Sequence, residues 1–342
     1  MANAALGGRP RGALPALRLF MPTSRAGALT LFIVRRLLWM VPVVFFVILI
    51  TFILMHLAPG SPWDKGEGRQ LSPAVIQNLN IRYGLDKPLW QQFLLYLWNV
   101  LHFDFGLSYQ YQGRSVSSLL AVGWPYTATI GSLAFCLVVP VGIVLGVVAA
   151  LRQNTRVDYA AMSFSTFGAT VPNFVFGMLL VIVFGVVMYN VTQGNYYLPV
   201  AGFGLDVHLI MPVLSLALLP TAFIARLTRA STLEILRQDY VRTAWAKGLA
   251  ERMVVLKHIL KNSLIPVVTA LGPTFAFLVT GSVIIETVFA IPGIGRSFVT
   301  AVLSRDYPMI LASTVLFSLV VAVANLVVDV LYVFIDPRVR LT

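Results

Sequence analysis

Six long apolar runs set the pattern of this chain, at residues 37–57, 126–151, 163–189, 208–224, 264–289 and 309–334. Runs of about 18 or more apolar residues with few or no charges are the mark of a membrane-crossing helix. The fourth run is short, and Glu286 and Asp329 interrupt the fifth and sixth. A closed β-barrel also satisfies a backbone in lipid, but its strands alternate polar and apolar positions. Stretches such as VVPVGIVLGVVAAL do not alternate. The pattern therefore predicts an all-α integral membrane protein with six transmembrane helices.

The polar intervals carry their own signals. Between the first two runs, residues 58–125 predict a helical segment outside the bilayer. Ser72 and Pro73 read as an N-cap followed by proline at the first helical position, and Gly84 closes that helix. In KPLWQQFLLYLWNVLHFDFG, the residues Leu89, Trp90, Phe93, Leu94, Leu97, Trp98 and Leu101 follow helical spacing, with Gln91, Gln92 and Asn99 opposite. No charge falls between Leu89 and Phe103. Two readings stay open: a helix packed on the protein or resting at headgroup level, and a docking surface for an external partner. Residues 290–308 contain IPGIGRS and RDYP and predict a turn and a short helix. Pro172, Pro212, Pro220, Pro266, Gly272 and Pro273 mark candidate bends inside runs three to five.

Composition agrees with a bilayer. Of 342 residues, 58% are hydrophobic and 11% charged, where soluble domains carry roughly 25% charged residues. The net charge of +12 is positioned rather than diffuse. Six basic residues precede or open the first run, two lie in RQNTRVD, eight between runs four and five and two at the C-terminal end. Basic residues favour cytoplasmic loops, so both termini are expected in the cytoplasm. The excess is a topology signal with membrane lipids as partner, not a nucleic-acid footprint. Residues 1–30, rich in Ala, Gly, Pro and Arg, read as a basic disordered cytoplasmic extension. They do not read as a signal peptide, because the run after Arg35 and Arg36 is long enough to span and no small-residue cleavage site follows it. Cys136 is the single cysteine and reads as a small buried hydrophobe. His56, His102, His208 and His258 show no metal-ligand spacing.

An energy source is missing from the chain. Gly-Lys occurs nowhere, which excludes a GxxxxGK[ST] phosphate loop, and no GxSxG elbow exists. Residues 202–204 form a bare GxG without the third glycine of a dinucleotide loop. The chain is read as no enzyme and as holding no cofactor. Glu286 in SVIIETVF and Asp329 in NLVVDVLY need pairing or a purpose, because a carboxylate at the bilayer centre costs about 2.5–3.5 kcal/mol. Structural pairing with an arginine such as Arg338, ion coupling and substrate contact all remain open.

Between runs four and five lies VRTAWAKGLAERM, residues 241–253. Ala244 and Gly248 are four apart and share one face of a helix, where small residues permit close approach. Arg242, Lys247 and Arg252 reach solvent, headgroups or an acidic partner edge. The series Arg242, Thr243, Ala244, Trp245, Ala246, Lys247, Gly248 resembles the EAA-loop of ABC-importer permeases, in the form favoured by the peptide branch. LAPGSP (57–62), FDFGLSY, ALRQNTRVDY, LPVAGFG (198–204) and ETVFAIPGIGRSFVTAVLSRDYP (286–308) are similar to the B-type permease subunit of oligopeptide and dipeptide importers. The general motif has an acidic residue where Arg242 stands and alanine where Thr243 stands. Its I-x-L-P close reads here as Leu264-Ile265-Pro266, further from Gly248.

The resemblance covers 31–342 and implies a permease domain there, with 58–125 extracytoplasmic and 226–263 a cytoplasmic coupling loop. It implies residence in the bacterial inner membrane and partnership with a second homologous permease, two ATP-binding subunits and an extracytoplasmic substrate-binding protein. ATP and Mg belong to the ATP-binding subunits, and residues 242–248 would form the coupling helix. Peptide is the implied substrate; nickel or glutathione importers share the scaffold, and a proton-coupled secondary transporter or a structural scaffold are the more distant alternatives. Small or polar residues within the runs are the candidates for the translocation path: Thr170, Asn173, Ser215, Thr280, Ser282 and Glu286.

Overall fold

The computed structural model describes residues 25–63, 72–111 and 113–335. In chain order the helices are α1 (Arg25–Leu57), α2 (Pro73–Tyr83), α3 (Leu89–Leu101), α4 (Val116–Leu151), α5 (Arg156–Thr170), α6 (Asn173–Leu180) and α7 (Met188–Val191). They continue as α8 (Ile210–Leu236), α9 (Asp239–Ala246), α10 (Glu251–Met253), α11 (Lys261–Val279), α12 (Val283–Val288), α13 (Ile294–Leu303) and α14 (Tyr307–Ile335). Wider π-helical turns join α6 to α7 at Val181–Val187 and α10 to α11 at Val254–Leu260. Among the described residues, six stretches are long and apolar enough to cross a membrane: Thr30–Leu57, Val116–Leu151, Asn173–Val191, Val207–Leu236, Glu251–Val288 and Tyr307–Val330.

Expectation and structure part at particular residues. The third apolar run does not hold one helix. Pro172 lacks an amide hydrogen and forces Val171 into an extended conformation (φ −79°, ψ 121°), so α5 stops at Thr170 and helix resumes at Asn173. In the fifth run the helix continues unbroken past Pro266 and Pro273 and breaks further on, at Gly281, whose φ is +94°. Ser282 then caps α12 by accepting from the Ile285 amide at 3.4 Å. The segment joining the fourth and fifth runs is shorter than 226–263. Arg226, Arg229 and Glu234 end the hydropathy signal but are good helix formers, so α8 continues to Leu236. Cys136 is exposed on the outside of α4 and is not a buried hydrophobe. The expected disordered extension lies mostly outside the described residues; from Arg25 onward the chain is already α1.

α8 is the central column. Some 61% of its apolar stretch is buried, against 11% for the first span. It packs on α4 through two glycines of GIVLG: a Cβ on Gly142 would lie 2.8 Å from Ile224, and one on Gly146 would collide with the Ala225 carbonyl and Thr228. Such close backbone approach is how helices gain dispersion contacts in lipid, where the hydrophobic effect does not drive association. The main core joins Ile130 and Val138 of α4, Leu216 and Ile224 of α8, Leu278 of α11 and Phe289 beyond α12. A second core joins α1, the start of α4, α13 and α14 around Ile48, Val116, Ile294 and Met309.

Candidate functional site

The segment 237–250 folds as a short helix held on the ends of α8 and the fifth span. Val241 and Ala244, three apart, turn inward and pack on Val254 and Ile259 of the π turn. Leu249 and Leu236 border the same cluster. The Tyr240 hydroxyl accepts from Asn262 Nδ2 at 2.8 Å, tying α9 to α11. α9 ends in a Schellman motif: the Gly248 amide donates to the Trp245 carbonyl at 2.9 Å and the Leu249 amide to the Ala244 carbonyl at 3.4 Å. Gly248 has φ +74° and therefore lies past the helix end. Ala244 and Gly248 do not share an exposed helix face: the first supports the helix from beneath and the second terminates it.

What α9 presents outward is Arg242, Thr243, Trp245, Ala246 and Lys247, all exposed. Arg242 sits 3.8 Å from Asp239, with both side chains mostly in solvent; such a pair adds little stability and leaves the guanidinium available. Trp245 keeps 41% of its surface exposed and Tyr240 42%. Trp245, Tyr240 and Arg242 are of residue types enriched in protein interfaces, whereas Lys247 is not.

On the same side, Asp158 of α5 and Arg229 of α8 form a two-pronged ion pair, Nε to Oδ1 and Nη2 to Oδ2 both at 2.7 Å. The Asn154 amide, held at φ +62°, also donates to Asp158 at 3.0 Å. Asp158 is 2% exposed, whereas Arg229 keeps a quarter of its side-chain surface. Arg229→Ala strands the carboxylate and is expected to cost up to about 3 kcal/mol, the low end for buried pairs. A fall in thermal midpoint that Asp158→Asn partly restores in the double variant is the expected readout.

The path candidates do not converge on one lining. Thr170 and Asn173 flank the α5–α6 break, exposed and half-buried respectively. Ser215 is fully buried, and its hydroxyl donates to the Met211 carbonyl at 2.7 Å. Thr280 donates back to Phe277 at 3.1 Å beside the Gly281 break. Ser282 and Glu286 are brought together with Thr127 and Gly281 around a cavity barely the size of a water molecule. Glu286 is 3% exposed. Its carboxylate accepts from Thr127 Oγ1 at 2.9 Å and from the Arg296 amide at 2.9 Å, in the first turn of α13. Thr127 Oγ1 in turn accepts from the Ile294 amide at 3.0 Å. A Cβ on Gly293 would collide with the carboxylate. Glu286 is thus a cap that fixes α13 to the broken fifth span, by the attraction of a helix N-terminus for a negative group.

The sequence pattern described as "Binding-protein-dependent transport system inner membrane component" matches residues 142–341, and its N-terminal companion matches 29–130. The chain belongs to this family of transport permeases. It is 42% identical to the oligopeptide transport system permease protein OppB of Haemophilus influenzae, over 90% of this chain and 99% of that protein. It is 41% identical to the dipeptide transport system permease protein DppB of Bacillus subtilis, over 91% and 98% respectively. A chain of the inward-facing methionine transporter MetNI overlays with a TM-score of 0.49 at 19% identity, covering 64% of this chain and 96% of that one. The permease is a multi-pass inner-membrane protein and is not by itself an enzyme.

In this permease the residues quoted one stretch at a time in the sequence turn out to touch. Asp306 of SRDYP is 1% exposed and accepts from the Ser108 hydroxyl. It also accepts from the amides of Tyr109 (3.1 Å), Gln110 (3.2 Å) and Met309 (3.4 Å). Arg305 donates to the Ser61 carbonyl at 3.1 Å and lies across Gly60, joining LAPGSP to the same turn. Trp63, Tyr83, Tyr109 and Tyr307 stack around this knot, and Trp63 Nε1 donates to Asn80 at 2.7 Å. Burial, with Asp306 next in effect, pushes the Tyr109 phenol well above its usual range, so it stays neutral. On the neighbouring loop, the Gly202 amide donates to the Phe289 carbonyl at 2.9 Å, joining LPVAGFG to ETVFAIPGIG. Asp158, Arg229, Thr127, Arg305 and Asp306 were not legible as partners, since each pair is far apart in sequence. Asp329 pairs with Arg36 of α1 at 3.1 Å; Arg338 lies outside the described residues.

Proposed function

We propose that the permease is the B-type membrane subunit of an ATP-driven importer and that it moves peptides. It forms the translocation path with a second homologous permease, receives cargo from an extracytoplasmic binding protein, and is driven by two ATP-binding subunits in the cytoplasm. The observation that carries the reading is α9: a helix footed on α8 and the fifth span whose polar and aromatic face is left exposed among the described residues. The names of the relatives, oligopeptide and dipeptide permeases, support peptide as the cargo. The excess of basic residues on the α9 side supports a cytoplasmic position for that face, where ATP is.

Because α9 is tied to α8 and to the π turn of the fifth span, a partner that shifts it moves both. The helix breaks at Val171–Pro172 and Gly281 supply places where the spans can answer without unravelling. Two arrangements of similar energy are what alternating access requires. Co-expression with the second permease and the ATP-binding subunits, reconstitution in liposomes and addition of binding protein provide the test. ATP-dependent uptake of labelled di- and oligopeptides is the expected result; uptake of nickel or glutathione instead would redirect the assignment within the family.

Proton coupling through Glu286 makes a different prediction. A capping carboxylate gains charge-assisted hydrogen bonds of about 1.5–3 kcal/mol each, so Glu286→Gln is expected to lower the thermal midpoint. The pH profile of ATP-driven uptake should stay unchanged. A shifted or abolished pH dependence would point to a proton-coupled carrier.

A further inference from the structure

We infer that α3 is embedded in the hydrocarbon of the leaflet on the α2–α3 side, as an intramembrane brace along α1, and is not a docking surface offered to water. The ring contacts place it. Phe93 of α3 lies 5.3 Å from Phe52 and 5.9 Å from Phe45, centroid to centroid. Phe52 and Phe45 stand five and twelve residues before the end of α1 at Leu57, roughly 8 and 18 Å along its axis. The apolar part of α1 after Arg36 is roughly one hydrocarbon thickness long. With Leu57 at the hydrocarbon edge, a ring that touches both phenylalanines lies between about 8 and 18 Å below that edge, beneath the headgroups.

Chemistry agrees with position. Phe93, Tyr96, Leu97 and Val100 face the protein and pack on the core shared by α1 and α14. Trp90, Leu94, Trp98 and Leu101, spaced at one helical stripe, face away and are between 56% and 73% exposed. No charged side chain falls between Leu89 and Phe103. On α1, against which Phe93 packs, Phe46, Ile50, Ile53 and Leu54 are exposed in the same way. A surface built to meet a water-borne protein carries a polar rim; here Gln91 is the one exposed polar side chain of α3, and the charges of Lys87 and Asp104 lie beyond its ends. Two tryptophans suit the boundary zone in which an amphipathic helix lies.

The occupant of this face is therefore lipid acyl chain, and the reading does not depend on what the permease transports. In a Cys136→Ser background, single cysteines at Leu94 and Trp98 are spin-labelled in the assembled transporter in lipid nanodiscs. Collision rates with oxygen and with a water-soluble nickel chelate are then measured. Ile53 on α1 serves as the lipid control and Leu205, 81% exposed in a loop, as the water control. The expected result is a severalfold preference for oxygen at 94 and 98, matching Ile53. Chelate access equal to that at Leu205 would overturn the proposal in favour of an external docking face. Exclusion of both reagents would overturn it in favour of a protein partner covering the stripe. Assembly and ATP turnover of each labelled variant confirm that the fold is retained.

Discussion

Replacing Gly248 by valine is expected to lower ATP-driven uptake roughly tenfold while the assembly and its basal ATP turnover persist. The physical reason is torsional. Gly248 adopts φ +74°, and a Cβ there would meet nothing within 4 Å. Crowding is therefore absent, and the penalty is the left-handed backbone itself, about 1–2 kcal/mol for an ordinary L-residue and more for a β-branched one. Relief comes by undoing the Schellman turn, which frees the Ala244 and Trp245 carbonyls and lets the end of α9 swing. Trp245 and Lys247 then no longer present the face on which the proposed ATP-binding partner would press. A shift of 1.4 kcal/mol is a factor of ten in an equilibrium. Asparagine tolerates the same torsion, so Gly248→Asn is expected to retain most of the uptake. Equal, near wild-type uptake for both variants in proteoliposomes would mean that the end of α9 transmits nothing.

Asp306→Ala should be the most damaging single change on the opposite side. The carboxylate satisfies the Ser108 hydroxyl and the amides of Tyr109, Gln110 and Met309. No cation pairs with it among the described residues, so these hydrogen bonds, with the Tyr109–Tyr307 ring contact, hold the loop 108–110 to the head of α14. A buried donor left without an acceptor costs about 1–3 kcal/mol, and two of the four donors, on Ser108 and Met309, are buried, while the exposed Gln110 amide keeps Ser108 Oγ at 3.2 Å. The loss, about 2–6 kcal/mol in all, is a large part of the stability margin of a typical domain, about 5–15 kcal/mol. The expected outcome is a collapse in monodisperse yield and early proteolysis between α1 and α4. Asp306→Asn keeps one acceptor oxygen and should fall between. Wild-type thermal stability for the alanine variant would show that the knot around Asp306 is not what holds this segment.

Much of the architecture was open to inspection before any coordinates. Each of the six predicted runs overlaps one of the six spanning stretches. The capped helix Ser72–Gly84 and the apolar helix from Leu89 appear where local chemistry placed them, because an N-cap hydroxyl, a proline and a left-handed glycine act within a few residues. The GIVLG spacing was equally present, four residues apart on one face, and marks the seam with α8 that hydropathy passes over. Helix ends were less legible. A hydropathy reading stops at Arg226 although the helix does not, and it runs through Pro172 although the helix stops there.

By itself, then, the sequence determined the medium, the number of crossings, the basic side and the membership of the family, since each of these is a sum over neighbouring residues. Only the tertiary structure decided that Ala244 faces inward while Gly248 ends the helix. It alone decided that Glu286 caps α13, and that Asp306 gathers a loop 196–198 residues away. Those outcomes turn on which buried donors find which acceptors once the helices have packed. A hydrogen bond in a low-dielectric interior is indifferent to sequence separation and acutely sensitive to an ångström of position.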